Sequence, residues 1–265
     1  MKIPKSFIIF TSLFIAPIFL GKGATFSTEV GEYIKENIHQ SDHCRMFEAK
    51  LTTLQGNERI DQPEKVILHV DSYDMNLIPL LQKPFFEIDL SGEEVTTEKL
   101  QEISPIASQV ISLNLMEVTL ENDFFPLISQ LTSLESLILS DNPFDDMAMP
   151  FMSSLSNLKH LEIVHTKVTG VGFNSLRSLK QLERLDAGCN LLKNIGIQNI
   201  TQIPSLKHVD VRACSFDATV LPLFFNIPNL QTLNISNNSL EKGALESFLT
   251  QAKERNIEVM AEEIK

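Results

Sequence analysis

One pattern of apolar residues recurs along the chain with a constant 24-residue step. Its first position is occupied in successive copies by Val110, Leu134, Leu158, Leu182, Leu206 and Leu230. The fourth, sixth and eleventh positions are also apolar, whereas the ninth is usually small and polar. A unit this short cannot bury its apolar face alone, so successive units must stack and share one continuous core. The chain is therefore constrained to a solenoid.

Two spacings inside the unit predict its secondary structure. Apolar residues two apart, such as Leu137 and Leu139, predict a short strand with one buried side. Apolar residues three apart, such as Phe173, Leu176 and Leu179, predict a short α-helix or three-ten helix. A small residue recurs near the predicted helix start, at Ala148, Gly172, Gly196 and Ala244. Every connection returns the chain to a parallel strand, which predicts an α/β solenoid.

The repeated segment resembles a known signature. Residues 134–144 and 230–240 follow the pattern L-x-x-L-x-L-x-x-N-x-L, with Phe144 at the last place of the first copy. This pattern resembles that of the leucine-rich repeats, and the resemblance covers about residues 65–265. It implies a horseshoe with a parallel sheet on the concave face and short helices on the convex face. Such a scaffold is typical of proteins that bind another macromolecule, so we expect no enzymatic activity.

Less regular copies flank the regular ones. One begins at Phe85, slightly farther from Val110 than the regular step, and a weaker one begins near Lys65, at a shorter spacing from Phe85. A last copy over residues 254–264 keeps the 24-residue step. The segment from Val168 to Phe173 resembles the T-D-x-G-L segment that follows the strand in bacterial repeats.

The N-terminal part of the chain is predicted to lie outside the repeats. Lys2 and Lys5 precede an apolar run from Phe7 to Leu20, which is typical of a secretory signal peptide over residues 1–23. The run is shorter than the roughly 20 residues of a membrane span. Residues 24–64 are predicted to form a helical cap over the first strand. We therefore expect a secreted or periplasmic protein without stable membrane insertion after cleavage.

Charge and cysteine content limit the class of partner. The formal net charge is −12, which disfavours binding to nucleic acid and favours a protein partner with a basic or mixed-charge surface. The three cysteines, Cys44, Cys189 and Cys214, are too few for a disulfide framework and lack metal-binding spacing. No cofactor and no metal ion are expected.

The ninth position of the pattern is predicted to be structural. Asn142, Thr166, Asn190, Cys214 and Asn238 occupy it in the middle of the array. The strand leaves the sheet at this point, so a buried polar side chain is needed to bond loop backbone groups.

The third, fifth, seventh and eighth positions are predicted to face away from the core and to form columns across the sheet. The fifth-position column reads Asp89, Asn114, Ile138, Glu162, Asp186, Asp210, Asn234 and Glu258. The candidate partner-binding residues lie at its centre and beside it: His160, Glu162, Arg184, Asp186, His208, Asp210 and Arg212.

Three interpretations of this surface are possible. It is a docking site for a partner, or a solvated face of ion pairs in which Lys159 and Lys207 help to balance the stacked carboxylates. The third is a cation site on Glu162, Asp186 and Asp210.

The eighth-position column suggests two alternatives. Asp141, His165 and Cys189 follow one another in successive repeats, the order of acid, base and nucleophile in a thiol-dependent hydrolase or transferase. The same side chains suit a soft metal ion. An open rim excludes little water and offers no predicted oxyanion hole, so the enzyme remains the alternative. A structural adhesion component is a further alternative.

Overall fold

The structure is a computed structural model that describes residues 66–69, 86–101 and 103–262. The predicted signal peptide over 1–23, the predicted cap over 24–64 and Cys44 lie outside the described residues.

A parallel sheet of nine strands forms the described fold, and the strands follow one another in chain order. They are β1 (Val66–His69), β2 (Phe86–Asp89), β3 (Val110–Asn114), β4 (Ser136–Ile138), β5 (His160–Glu162), β6 (Arg184–Asp186), β7 (His208–Asp210), β8 (Thr232–Asn234) and β9 (Glu258–Met260). The register is constant from β3 to β8: Leu113 pairs with Leu137, Leu137 with Leu161, and so on as far as Leu233. This confirms the predicted α/β leucine-rich-repeat solenoid and its 24-residue step.

Short helices connect the strands. The α-helices are α1 (Thr97–Gln101), α2 (Phe125–Ile128), α3 (Met149–Met152), α4 (Lys193–Ile200) and α5 (Lys242–Glu254). The three-ten helices are Ser104–Gln109, Asn122–Phe124, Asp146–Ala148, Val171–Ser178 and Ala218–Asn226. None of the helices described by the structure is both long and apolar enough to cross a lipid bilayer.

The core lies between the sheet and these helices. Leu137, Leu161 and Leu185, at the fourth position of successive repeats, are completely buried. Phe125 and Phe144 meet edge to face with ring centroids 5.0 Å apart, which fills the space between two repeats. The apolar periodicity therefore maps directly onto a continuous core.

The array departs from its regular step at the C-terminal end. Leu233 pairs with Val259 and not with Ile257, so the predicted last copy over 254–264 on the 24-residue step was wrong. The cause is α5, whose 13 residues make it the longest helix among those described. Met260, and not Glu258, therefore stands beside Asn234 in the fifth-position column.

The irregular steps at the N-terminal end were predicted correctly. His69 pairs with Asp89, a shorter step than the regular one, and Asp89 pairs with Asn114, a slightly longer one. The copies that begin near Lys65 and at Phe85 therefore contribute strands to the same sheet.

Buried asparagines hold the turns after the strands. The side chain of Asn238 accepts a hydrogen bond from the N–H of Cys214 at 2.8 Å and donates to the carbonyl oxygens of Val211 and Ile235. The thiol of Cys214 itself donates to the carbonyl oxygen of Ala187 at 3.3 Å. The predicted structural role of the ninth position is confirmed.

Glycine is required where neighbouring repeats approach closely. Gly170 has φ of +82°, and a Cβ there would lie 2.5 Å from the Cα of Gly196 in the next repeat. A Cβ at Gly172 would lie 2.7 Å from both the carbonyl oxygen of Asp146 and the Cγ of Met149. The predicted close approach at the helix starts is thus confirmed at Gly172.

Candidate functional site

Three adjacent strands bring the predicted partner-binding residues together at the centre of the sheet. The register pairs His160 with Arg184 and Arg184 with His208 in one column. In the second column Glu162 pairs with Asp186, and Asp186 with Asp210. We call these six side chains together with Arg212 the central concave patch.

Asp186 is the most deeply placed member of the central concave patch. Its Oδ2 accepts a hydrogen bond from Arg184 Nε at 2.9 Å and lies 3.4 Å from Nε2 of His160. Burial raises the pKa of the Asp186 carboxyl, but His160 and Arg184 beside it more than offset this effect, so the pKa lies below its ordinary value. The carboxylate is therefore charged at neutral pH and holds Arg184 in place.

Asp210 holds Arg212 in a similar way. Its Oδ2 lies 3.3 Å from Arg212 Nη1 and accepts a hydrogen bond from Asn234 Nδ2, and its Oδ1 accepts from the Arg212 N–H at 3.0 Å. The Arg212 side chain runs over Gly188, where a Cβ would lie only 2.9 Å from Arg212 Cγ. Asp186 and Asp210 thus each orient one arginine on the concave face.

The other members have uncharged partners. Glu162 Oε1 accepts a hydrogen bond from the Ser140 hydroxyl at 2.8 Å. His208 Nδ1 and the Thr232 hydroxyl share a hydrogen bond at 2.9 Å. The column of carboxylates is therefore compensated at Asp186 and Asp210 by arginine, and at Glu162 by a hydroxyl group.

Lysines beside the patch have different partners from those expected. Lys159 Nζ lies 2.9 Å from Glu135, and Lys207 Nζ lies 2.7 Å from Glu183, so a ladder of alternating charge runs along the second position of the repeats. The hydrogen bond from Lys207 is the main reason that the pKa of Glu183 is lowered. The expectation that these lysines balance the stacked carboxylates was wrong, because each of them pairs with a glutamate at the second position of the preceding repeat.

The predicted exposure of the columns needs two corrections. At the fifth position Asp186 and Asn234 are each only 8% exposed, so the prediction that this position faces solvent was wrong for these two residues. At the seventh position Ser140 and Ser236 are buried as well. The reason is contact with longer side chains: His160 and Arg184 lie against Asp186, and Glu162 of the next repeat lies against Ser140.

Only two of the three residues predicted to form a thiol-dependent active site in the eighth-position column are hydrogen-bonded to each other. Asp141 Oδ1 and His165 Nδ1 share a hydrogen bond at 2.6 Å. Cys189 is exposed and lines a depression of about 390 Å³ whose walls include neither Asp141 nor His165. Among the described residues, no hydrogen bond joins Cys189 to His165. The structure therefore brings together the predicted acid and base, but it leaves the predicted nucleophile apart from them.

The backbone of this column could not have been predicted. Residues at the eighth position all have φ between +53° and +58°: Glu117, Asp141, His165, Cys189, Ala213 and Asn237. Only glycine, asparagine and aspartate adopt this conformation readily, and no glycine marks the column.

An exposed apolar column was missed. Met147, Val171 and Ile195 stand at one equivalent position of successive repeats and are 70%, 57% and 46% exposed. Leu191 is exposed as well. The 24-residue step aligns Met147, Val171 and Ile195 in the sequence, but it does not show whether they face the core or the solvent. We call Met147, Val171, Ile195 and Leu191 the apolar edge.

Comparisons with known proteins agree with this architecture. The leucine-rich-repeat family model matches residues 229–250, around β8. No curated protein sequence matches the chain. Among solved structures, an internalin from Listeria monocytogenes strain 4b F2365 is similar, with 18% sequence identity and a TM-score of 0.51. The match covers 73% of this chain and 58% of the internalin, and at this identity it shows the fold alone. By its repeat pattern, its sheet and these matches, the chain is a leucine-rich-repeat protein.

Proposed function

We propose that the chain is a protein-binding recognition module that acts through the central concave patch. The observation that carries this proposal is the pair of oriented arginines on neighbouring repeats, Arg184 in β6 and Arg212 just after β7. Arg184 and Arg212 are bound by Asp186 and Asp210, yet about half of each arginine side chain stays exposed, 51% and 45% respectively. A guanidinium that is already ordered loses little freedom when a partner binds it.

The chemistry of the patch points to a partner of mixed charge. Arg184 and Arg212 offer free N–H groups to carboxylates or main-chain carbonyls, and arginine is enriched among residues that dominate binding energy. Glu162 offers a carboxylate to a lysine or arginine of the partner. Because the patch carries both signs of charge within a net acidic chain, a nucleic acid is not a suitable ligand.

We also propose that the module acts outside the cytoplasm, as a secreted or periplasmic protein. This proposal depends on the predicted signal peptide over residues 1–23, with residues 24–64 as a cap and residues 65–265 as the repeat domain. Edman sequencing of the mature protein tests it. A mature chain that still begins at Met1 contradicts it.

The test of the binding proposal begins with affinity capture. The purified chain is immobilised, captured proteins are identified by mass spectrometry, and the best candidate is purified and titrated against variants. Arg184→Glu and Arg212→Glu are each expected to weaken binding at least about 10-fold, the effect typical of a residue that dominates an interface. Arg177→Glu is the matched control, because Arg177 is equally charged but lies at the end of the three-ten helix Val171–Ser178, away from the strands.

The arginine variants are preferable to reversal of the aspartates. Lysine in place of Asp186 would bury a cation beside Arg184, so any loss of binding would be mixed with a loss of stability. Thermal unfolding of each variant accompanies the titration, because Arg184→Glu removes the hydrogen-bond partner of the buried Asp186 carboxylate and is expected to cost about 1–3 kcal/mol. Binding is therefore compared at a temperature at which every variant is folded.

Two outcomes would reject the proposal that the partner binds at the central concave patch. One is binding that survives Arg184→Glu and Arg212→Glu. The other is binding that falls equally with Arg177→Glu. Variants of the apolar edge, Met147→Ser and Ile195→Ser, then locate the alternative surface, since exposed apolar side chains also mark interfaces.

A further inference from the structure

We propose that His160, Glu162 and Asp186 form a binding site for a divalent transition-metal ion, for which Zn²⁺ is the best match, with a fourth position open to water or to a side chain of a partner.

The topology places three donors of the appropriate type together. His160 and Glu162 lie at the third and fifth positions of β5, so both side chains leave the same face of the sheet. Asp186 is the direct neighbour of Glu162 on β6. One ligand atom from each of the three residues lies within 4.8 Å of the other two. A histidine with two carboxylates is a donor set that zinc accepts.

The separation of two donors is compatible with coordination of a shared ion. His160 Nε2 lies 3.4 Å from Asp186 Oδ2. In a tetrahedral site with ligand bonds of about 2.0–2.1 Å, neighbouring ligand atoms are separated by about 3.3–3.4 Å.

His160 supplies an independent indication. Its Nε2 is buried and has no hydrogen-bond partner among the described residues. Buried polar atoms are nearly always hydrogen-bonded, whereas this nitrogen has only a longer contact of 3.4 Å with Asp186 Oδ2, so a cation bound by both groups would satisfy it. The other ring nitrogen, Nδ1, lies 3.4 Å from the Ser136 hydroxyl. This is the arrangement in which a neighbouring group orients a metal-binding imidazole.

The carboxylate of Glu162 is held in place by a hydrogen bond and can act as a metal ligand. Its Oε1 accepts the Ser140 hydroxyl, which fixes the carboxylate over β5 while its second oxygen stays available. Together with Asp186 it supplies two carboxylate groups as oxygen donors beside the imidazole of His160. The structure thus groups His160, and not Asp210, with the two carboxylates.

Arg184 competes with the metal ion for Asp186. Its Nε donates to Asp186 Oδ2 at 2.9 Å, the same oxygen that lies near His160. The Arg184 side chain is half exposed and can turn outward when a cation binds. Removal of this guanidinium should therefore strengthen metal binding.

The experiment titrates Zn²⁺ into the purified, chelator-treated full chain by isothermal calorimetry. We expect one ion per chain. His160→Ala and Glu162→Gln should each weaken the affinity at least about 10-fold, since even a neighbour of a ligand has effects of that size. Arg184→Ala should strengthen the affinity several-fold. His165→Ala is the matched control and should leave it unchanged, because His165 pairs with Asp141 in the next column.

Substitution with Co²⁺ identifies the ligands by their absorption spectrum. Four-coordinate nitrogen and oxygen ligation is expected, and the band of a cysteine-bound ion should be absent. Three results overturn the proposal: no stoichiometric binding, binding that is lost with His165→Ala but kept with His160→Ala, or a sulfur-to-cobalt band that vanishes with Cys189→Ser. Circular dichroism of each variant shows that the fold is retained, and Glu162→Gln keeps the shape of the side chain if His160→Ala does not fold.

Discussion

Replacement of Asn142 by alanine should destabilise the protein more than any exposed polar substitution. The Asn142 side chain is buried at the turn after β4. Its Oδ1 accepts hydrogen bonds from the N–H groups of Val118 at 3.2 Å and Leu120 at 2.8 Å in the preceding repeat. Its Nδ2 donates to the carbonyl oxygens of Leu115 at 2.6 Å, Leu139 at 3.0 Å and Ser140 at 3.1 Å.

The magnitude follows from the groups that lose their partners. The two N–H groups that donate hydrogen bonds to Asn142 are buried. Each buried donor that loses its partner costs about 1–3 kcal/mol of stability. The Ser140 carbonyl keeps another donor, the Glu117 N–H, so its loss is smaller. We expect Asn142→Ala to lower the free energy of unfolding by about 3–5 kcal/mol, the sum of two unpaired donors and a small cavity.

The variant Asn142→Asp separates the effect of lost hydrogen-bond donation on stability from the effect of lost side-chain volume. Aspartate fills the same space and can still accept the bonds from Val118 and Leu120. It cannot donate, however, so its charge faces the carbonyl oxygens of Leu115 and Leu139. A buried, poorly paired charge is costly, and we expect a loss of stability at least as large as that of Asn142→Ala.

Urea unfolding followed by far-ultraviolet circular dichroism measures these changes as a shift of the midpoint at constant slope. Asn157→Ala is the control, because Asn157 also donates to a main-chain carbonyl, that of Thr132 at 3.0 Å, but in an exposed position. It should cost less than about 0.5 kcal/mol. A cost below about 1 kcal/mol for Asn142→Ala, or one equal to that of Asn157→Ala, would refute the reasoning.

Two further predictions concern close packing and the cysteines. Gly170→Ala should cost about 1–3 kcal/mol more than Gly92→Ala in urea unfolding, because both have positive φ but only the Cβ at Gly170 meets Gly196; equal costs would contradict this contact. Burial raises the pKa of the Cys214 thiol to about 12, so alkylation of the folded protein at pH 8 should modify the exposed Cys189 and not Cys214. Peptide mapping that finds equal modification before and after unfolding in guanidinium would contradict the burial of Cys214.

The fold was predictable because the same apolar pattern occurs in every regular repeat. Each copy places a leucine against the equivalent residue of the next, as Leu137 and Leu161 do, so an error in one copy is corrected by the others. The contact between Asp141 and His165 was foreseeable for the same reason. The 24-residue step did not predict the last strand correctly, because the longer helix α5 occurs in only one repeat. This helix shifts the last strand, so that Leu233 pairs with Val259.

The candidate site was only partly predictable. Periodicity identified which side chains share a column, such as Glu162 and Asp186, but not which neighbour each one contacts. Lys159, for example, pairs with Glu135 and not with a carboxylate of the fifth-position column. The burial of Asp186 and the contact between His160 Nε2 and Asp186 depend on the side-chain conformations that neighbouring strands impose on each other.

The sequence by itself determined that this protein is a solenoid of stacked units, which residues fill its core and which asparagines hold its turns, because those properties recur in every regular unit. Only the tertiary structure decided that Asp186 is buried beneath Arg184 and beside His160, and that an apolar column including Met147 faces solvent. The physical reason is that core burial follows from local spacing, whereas the charge, depth and pairing of a surface residue depend on what adjacent repeats place around it.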